Sequence, residues 1–217
     1  MKKKCKRYNK ELEKVVASDF FVNTNTENAE LYEYLSNQTG WDVDDISFVK
    51  DLQSIFYADR EYNASFVPAW ADTLDEDKIN YLAGLAFARD TYNTKLKRLR
   101  IGPFFYFLLD HFDNVINEDE DTPKFLMLSG HESTVAAVLN GMDAFDYLTP
   151  EFASVVIWEL KKSENGTHYI NMFYKKENSL NSIVINNCYN DCQYEEFKAL
   201  LEEITVSDSV WEDECGS

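Results

Sequence analysis

The sequence predicts an α/β sandwich with a helical cap subdomain, and a change of pattern along the 217 residues carries this prediction. Residues 9 to about 116 have apolar side chains at three- and four-residue spacing, which is typical of amphipathic helices. From Thr122 onward the apolar stretches are short and separated by turn residues, which is typical of strands. We therefore expect residues 1–121 to form a mainly helical cap and residues 122–217 to form part of an α/β core.

Five stretches of the cap region are expected to be helices. They read ELEKVVASDFF, AELYEYLSNQT, DDISFVKDLQSIFYA, DEDKINYLAGLAFARDTYNTKLKRLR and PFFYFLLDHFDNVI. The fourth begins with the acidic residues Asp75–Asp77 and ends in the basic stretch Lys95–Arg100, as the helix dipole favours. Its apolar stripe is interpreted as core packing and is given no cofactor role.

The core region is expected to hold four strands and two helices. The expected strands are Lys124–Ser129, Ser154–Lys161, His168–Lys175 and Ser182–Ile185, and the expected helices are Ser133–Gly141 and Tyr194–Ile204. Between the second and third strands, Asn165 and Gly166 supply the chemistry of a tight hairpin turn.

The chain is strongly acidic, with a formal net charge of −18 and a pI near 4.5. Such a surface repels nucleic acid and anionic membranes, so neither is expected as a partner. No stretch reaches the ~18 consecutive apolar residues of a membrane span. The opening MKKKCKRYNKELEK is basic but lacks the apolar segment of a signal peptide, so it is not an export signal. If the protein is exported, we expect its signal upstream of this chain.

Three triplets fit the acceptor motif for N-glycosylation, and they begin at Asn37, Asn63 and Asn165. They indicate a glycoprotein that is secreted or delivered to the lysosome. The alternative is chance occurrence of short triplets in an asparagine-rich chain.

The four cysteines favour disulfide bonds in an oxidising compartment. Cys188 and Cys192 form a C-x3-C turn, whereas Cys5 and Cys215 stand near the two ends of the chain. A zinc site is the competing interpretation, but no histidine lies at ligand spacing from a cysteine. A bridge from Cys5 to Cys215 would close a very long loop and stabilise the fold by about 4 to 5 kcal/mol.

The candidate functional site is the corner Gly130-His131-Glu132, between the expected strand FLML and the expected helix at Ser133. Ligands of α/β sheets bind where strands end, and a helix N-terminus offers free N–H groups to an anion such as phosphate. Gly130 lets the backbone come close, His131 can donate to a phosphate oxygen, and Glu132 can hold a proton for a leaving alkoxide. The alternative is a structural histidine that caps the helix.

Several segments together resemble the histidine acid phosphatases, and more narrowly the animal prostatic and lysosomal branch of that family. The segments are FLMLSGHESTVAAVLNGMDAFDYLTPEFASVVIWEL, CKRYNKELEK, YNASFVPAW, LRIGPFFYFLLDHF and the C-x3-C turn followed by YEEFKALLEEI and the final cysteine. The resemblance extends over nearly the whole chain.

This resemblance implies a phosphoglycerate-mutase-like α/β/α sandwich, incomplete in this chain, with a helical cap. It implies Cys5–Cys215 and Cys188–Cys192 disulfides, a phosphate monoester as substrate and no metal or cofactor, and it allows a homodimer. In the family a His-Asp pair contacts the phosphoryl group and protonates the leaving oxygen. Here His131 would take the first role, together with Gly130 in substrate binding, and Glu132 would take the second.

Two departures from the family bear on activity. Glutamate replaces the aspartate, on an arm one methylene longer, and no Arg-His-Gly-x-Arg-x-Pro loop with the nucleophilic histidine occurs in the sequence. The first hypothesis is therefore a C-terminal fragment of an acid phosphatase that works through a phosphohistidine intermediate, with this chain alone inactive. The alternative hypothesis is a catalytically inactive paralogue that acts as a binding or interaction protein.

Overall fold

A computed structural model describes residues 4–176, 179–186 and 188–216. They form two compact units. The unit that we call the core unit is drawn from residues 1–11, 90–145 and 150–217, and the helical unit is drawn from residues 12–89 and 146–149. The division of the chain at residue 121 into cap and core stays a prediction.

Helices dominate the first half of the described chain. They are α1 (Lys6–Val16), α2 (Asp19–Glu27), α3 (Ala29–Thr39), α4 (Ile46–Asn63) and α5 (Glu76–Arg89), with 3-10 turns at Ala64–Phe66 and Ala69–Thr73. The expected helix ELEKVVASDFF is two helices instead of one, because Ser18 takes an extended backbone and becomes the N-cap of α2. Leu35, Ile46 and Val49 are fully buried, as the three- and four-residue spacing predicts.

Asp45 organises the polar centre of the helical unit. It is the N-cap of α4, and its Oδ1 accepts the Ser47 N–H at 2.8 Å. Arg89 donates to both carboxylate oxygens, at 2.9 and 2.8 Å, and this ion pair is largely shielded from water. Burial alone would raise the pKa of Asp45, but the hydrogen bonds from Ser47 and the charge of Arg89 outweigh it and hold the pKa below its usual value.

This lowered pKa predicts how the helical unit responds to acid. A carboxyl group with a depressed pKa in the fold stabilises it fully above its unfolded pKa, about 3.9, and loses that contribution as the pH falls through the lower folded-state value. The stability difference between the natural protein and Asp45→Asn should therefore be constant from neutral pH down to about 5 and shrink below about 4. Urea unfolding across that range measures it, with Asp42→Asn as an exposed control. A difference that already vanishes near neutral pH would contradict the assignment.

The core unit is built around one long helix, in a stretch where the sequence predicted parts of two helices. α6 runs Thr94–Ile116 with Pro103 inside it, and Asn93 caps its start by accepting the Leu96 N–H at 2.9 Å. The long helix predicted from Asp75 to Arg100 is correspondingly broken between Arg89 and Thr94. Proline has no N–H, so the carbonyl four residues earlier, that of Leu99, loses its helical donor. The Trp211 indole N–H fills that place at 2.8 Å from the Leu99 oxygen.

The Trp211 indole takes the place of the backbone donor that Pro103 lacks. We therefore expect the effect of a Trp211 substitution on the unfolding free energy to depend on whether residue 103 is proline. Trp211→Phe should cost about 1–3 kcal/mol of unfolding free energy, since it leaves a buried carbonyl without a donor. In a Pro103→Ala background the new backbone N–H can serve the Leu99 carbonyl, so the same change should cost less. Urea unfolding of the natural protein, the two single variants and the double variant measures the coupling, and equal costs in both backgrounds would refute this account of how α6 accommodates Pro103.

The sheet of the core unit is antiparallel in the described residues. β1 (Val155–Lys162) pairs along its length with β2 (His168–Lys176), and the turn between them closes with the Gly166 N–H donating to Ser163 O at 3.0 Å. β3 (Ser179–Ser182) pairs with the end of β2, and β4 (Cys192–Gln193) pairs with its start. The hairpin at Asn165-Gly166 is confirmed, and so is a mixed helix and sheet fold.

Two expected strands are wrong or displaced. Lys124–Ser129 is not a strand, and the expected strand Ser182–Ile185 lies earlier, as β3, because the chain beyond it turns and Ile185 forms a single bridge with Cys188. The remaining helices of the described chain are α7 (Glu132–Gly141), α8 (Tyr194–Leu201) and α9 (Asp208–Gly216). The last was not expected.

Both disulfides implied by the resemblance, Cys5–Cys215 and Cys188–Cys192, are present. Cys5 and Cys215 are buried with Leu99, Val206 and Trp211 in one apolar cluster. Of the helices in the described chain, none combines the length and apolar composition needed to cross a bilayer.

Candidate functional site

The corner Gly130-His131-Glu132 lies at the start of α7, as predicted. His131 is the N-cap with an extended backbone, and Glu132 is the first helical residue. The His131 N–H donates to Thr134 Oγ1 at 3.3 Å, and the Thr134 N–H donates to the His131 carbonyl at 2.9 Å. This reciprocal contact fixes the angle at which the chain enters the helix.

The other end of α7 is anchored in the core unit. Residues Ala136–Gly141 are buried, and a Cβ on Gly141 would lie 2.6 Å from the Phe105 ring, so only glycine lets α7 come this close to α6. Asn140 donates through Nδ2 to the Thr91 carbonyl at 3.0 Å and to its hydroxyl oxygen at 2.8 Å. The His131 corner is therefore presented by a helix whose own position is fixed by packing.

The corner itself is open to solvent. Gly130, His131 and Glu132 are all exposed, so the imidazole is not enclosed in an apolar interior. The first turn of α7 also carries backbone N–H groups without helical acceptors and the positive end of the helix dipole. This arrangement favours an anion beside His131. The alternative interpretation, a helix-capping histidine, fits the N-cap position of His131 as well.

The segment before the corner differs from the prediction. Lys124–Ser129 was expected to be a buried strand, but Phe125 is 82% exposed and Met127 80% exposed, and no strand is assigned there. A strand needs a hydrogen-bonding neighbour, and an apolar one also needs a covering layer. Lys124–Ser129 does not meet this requirement, because the described residues place no strand beside its apolar side chains.

Arginines that could hold a phosphate are engaged elsewhere. In the helical unit, Arg60 pairs with Glu76 and Arg89 with Asp45, and in the core unit Arg98 pairs with Glu214 and Arg100 with Asp90. Arg98 also donates to the Thr205 carbonyl at 2.6 Å. Arg89 and Arg98 belong to partly buried ion pairs that hold the fold together.

The other two histidines and the cysteines of the C-x3-C turn lie on elements other than the Gly130-His131-Glu132 corner. His111 lies on α6 with its ring 6.2 Å from that of Phe112, and His168 begins β2. Cys188, Cys192 and Glu196 come close enough together to suggest a metal site in the described residues, but both sulfurs are consumed in a disulfide. The zinc interpretation of the C-x3-C turn is therefore not supported by its geometry.

Two supports of the corner were not identified from the sequence. Thr134 at the third helical position carried a readable signal, since a hydroxyl there commonly bonds back to the N-cap N–H. The hydrogen bond from Asn140 to Thr91 had a weaker signal in the sequence, namely a single amide side chain in the apolar run VAAVLNG. Its partner, 49 residues away, could not be found by pattern.

Comparisons with known proteins add an independent observation. A scan against models of known protein families finds no match. The chain is 25% identical over 216 residues to lysosomal acid phosphatase of Xenopus laevis, covering 97% of this chain and 49% of the relative. It is 24% identical over 217 residues to prostatic acid phosphatase of Rattus norvegicus, covering 97% of this chain and 56% of the relative. The chain thus spans about half the length of the curated relatives that it matches.

Proposed function

Since the matches to lysosomal and prostatic acid phosphatases support the histidine acid phosphatase family for this chain, we propose that it contributes one wall of a phosphomonoesterase active site. The observation that carries the proposal is the exposed His131-Glu132 pair at the start of an anchored helix. The relatives' names indicate hydrolysis of phosphate esters, and broad monoester activity is the corresponding proposal for the intact protein.

His131 and Glu132 have distinct roles in the proposed reaction. The His131 imidazole donates a hydrogen bond to a phosphoryl oxygen, and the N–H groups of the first turn of α7 add positive potential. Glu132, as the carboxylic acid, transfers its proton to the alkoxide as the P–O bond to the leaving group breaks. The carboxylate that remains then accepts a proton from the water that attacks the phosphoenzyme, which restores the acid.

The nucleophile belongs, in this proposal, to a segment outside the 217 residues. Attack by a histidine nitrogen on phosphorus forms the covalent phosphohistidine, and its Arg-His-Gly loop is absent from this sequence. The exposed apolar side chains of Phe125, Met127 and Leu128 support the same idea, because they form a surface that a further strand can cover.

The compartment and the assembly are also proposals. Two disulfides and three acceptor triplets, at Asn37, Asn63 and Asn165, fit a secreted or lysosomal glycoprotein. The asparagines are exposed. For the assembly of the intact protein, the proposal is a homodimer.

The proposal predicts that turnover needs residues beyond this chain. The natural full-length protein should hydrolyse p-nitrophenyl phosphate at about pH 5, whereas the 217-residue chain should show no turnover above a His131→Ala control. Initial rates at saturating substrate measure this. A full-length protein that binds phosphate without turnover would favour the inactive-paralogue alternative, and one that neither binds nor hydrolyses would refute both.

A further inference from the structure

An exposed pair of stacked rings brackets one of the glycosylation triplets. At the junction between α4 and the following 3-10 turn, Tyr62 is 83% exposed and Phe66 is 57% exposed. Their ring centroids are 5.8 Å apart with an interplanar angle of 23°. Packing in the interior does not account for either ring. The acceptor Asn63 directly follows Tyr62 in sequence.

The backbone at Asn63 is shaped for a modified side chain. Asn63 Oδ1 accepts the Ser65 N–H at 3.1 Å, which forms an Asx turn. This bond uses the oxygen of the amide and leaves the nitrogen, Nδ2, as the group to be modified. Asn63, Ala64 and Ser65 are all exposed, so a sugar on Nδ2 meets no packed neighbour.

The three triplets differ in these features. Asn165 also makes an Asx turn, with its Oδ1 accepting the Thr167 N–H at 3.1 Å, but Glu164 and His168 stand where Asn63 has Tyr62 and Phe66. Asn37 lies within α3, where the hydroxyl of Thr39 donates to the Leu35 carbonyl at 2.7 Å instead of staying beside the asparagine. Of these three asparagines, only Asn63 combines an Asx turn with two stacked rings at these positions.

We propose that Tyr62 and Phe66 form a platform for the first N-acetylglucosamine of an N-linked glycan on Asn63. In the modification, Asn63 Nδ2 bonds to C1 of a sugar carried on a lipid diphosphate, the C1–O bond breaks, the lipid diphosphate leaves and Nδ2 loses one proton. One face of the sugar ring presents C–H groups, which pack on the electron-rich face of an aromatic ring. The sugar covers an apolar patch that is otherwise open to water.

This inference rests on the proposed route through the secretory pathway and not on catalysis. The full-length protein is secreted from animal cells and trimmed with an endoglycosidase that leaves a single N-acetylglucosamine on each occupied asparagine. Mass spectrometry reads the occupancy of Asn63 and Asn165. Hydrogen exchange then measures the Ser65 and Val67 amides, and NMR measures the N-acetyl methyl resonance of the sugar.

The platform predicts that the sugar slows exchange of these amides by about 3- to 10-fold relative to Ser65→Ala, which blocks the modification but keeps the Asn63 side chain, and that Tyr62→Ala with Phe66→Ala abolishes the slowing. The N-acetyl methyl resonance on Asn63 should carry a ring-current shift that the double variant removes, whereas that on Asn165 should not change. Equal exchange with and without the rings overturns the platform, as does an unoccupied Asn63 beside an occupied Asn165. If both asparagines are unoccupied, the platform and the proposed export of the protein both fail.

Discussion

Replacing Glu132 with glutamine should lower the kcat of the full-length enzyme by about 10²- to 10⁴-fold, because glutamine cannot supply the proton that the leaving alkoxide needs. Inhibition by inorganic phosphate should be largely unchanged, since the proposed mechanism has Glu132 act on the leaving group and not on the phosphoryl oxygens. Aryl phosphates with acidic phenol leaving groups need less protonation, so their turnover should fall less. Steady-state kinetics with an alkyl and an activated aryl phosphate measure this difference.

Three further variants test whether the effect is specific to the proposed roles of Glu132 and His131. Glu132→Asp restores the family's His-Asp pair and should keep turnover, whereas Glu120→Gln removes an exposed carboxylate elsewhere and should have no effect. His131→Ala should weaken both phosphate binding and turnover, because in the proposed mechanism the imidazole contacts the phosphoryl group in the ground state as well. Equal and small effects of His131→Ala and Glu132→Gln would remove the pair from the mechanism.

Loss of the Cys5–Cys215 disulfide should destabilise the fold by about 5 kcal/mol, the largest stability effect that we expect from any single crosslink here. The bridge spans a sequence separation of 210 residues, so removing it returns much loop entropy to the unfolded chain. Both cysteines are 5% exposed and packed with Leu99, Val206 and Trp211, so Cys5→Ala with Cys215→Ala also loosens that cluster.

The second disulfide is a matched control for this argument. Cys188 and Cys192 are also buried, but their sequence separation is only 4, for which the same chain-entropy relation gives about 2 kcal/mol. Thermal and urea unfolding of the two double-alanine variants should therefore rank Cys5/Cys215 well above Cys188/Cys192. Equal losses would show that local packing, and not loop closure, sets the stabilisation.

The local patterns in the sequence predicted most helices and the β1–β2 hairpin because their causes are local. The helix at Ser133–Gly141, the strand at Ser154–Lys161 and the turn at Asn165-Gly166 all lie within two residues of where the structure has them. Each depends on periodicity or on the φ/ψ preference of a few neighbouring residues.

Two of the errors came from long-range causes. Pro103 predicted a helix start, but the Trp211 indole, 112 residues away from Leu99, satisfies the carbonyl that proline leaves free and lets α6 continue. The apolar run Phe125–Leu128 predicted a strand, but strand formation needs a neighbour that the described chain does not place there. The helix start at His131 was predicted because it has a short-range signature, whereas the hydrogen bond that anchors α7 to Thr91 was not.

Titration of the full-length protein with inorganic phosphate, followed by the imidazole resonances of its histidines, tests most directly whether His131 faces a phosphoryl oxygen. The account predicts that the His131 resonances shift in proportion to phosphate occupancy and that the shift survives Glu132→Gln, while His111 and His168 stay unchanged. An active enzyme whose His131 resonances do not respond to saturating phosphate would contradict it.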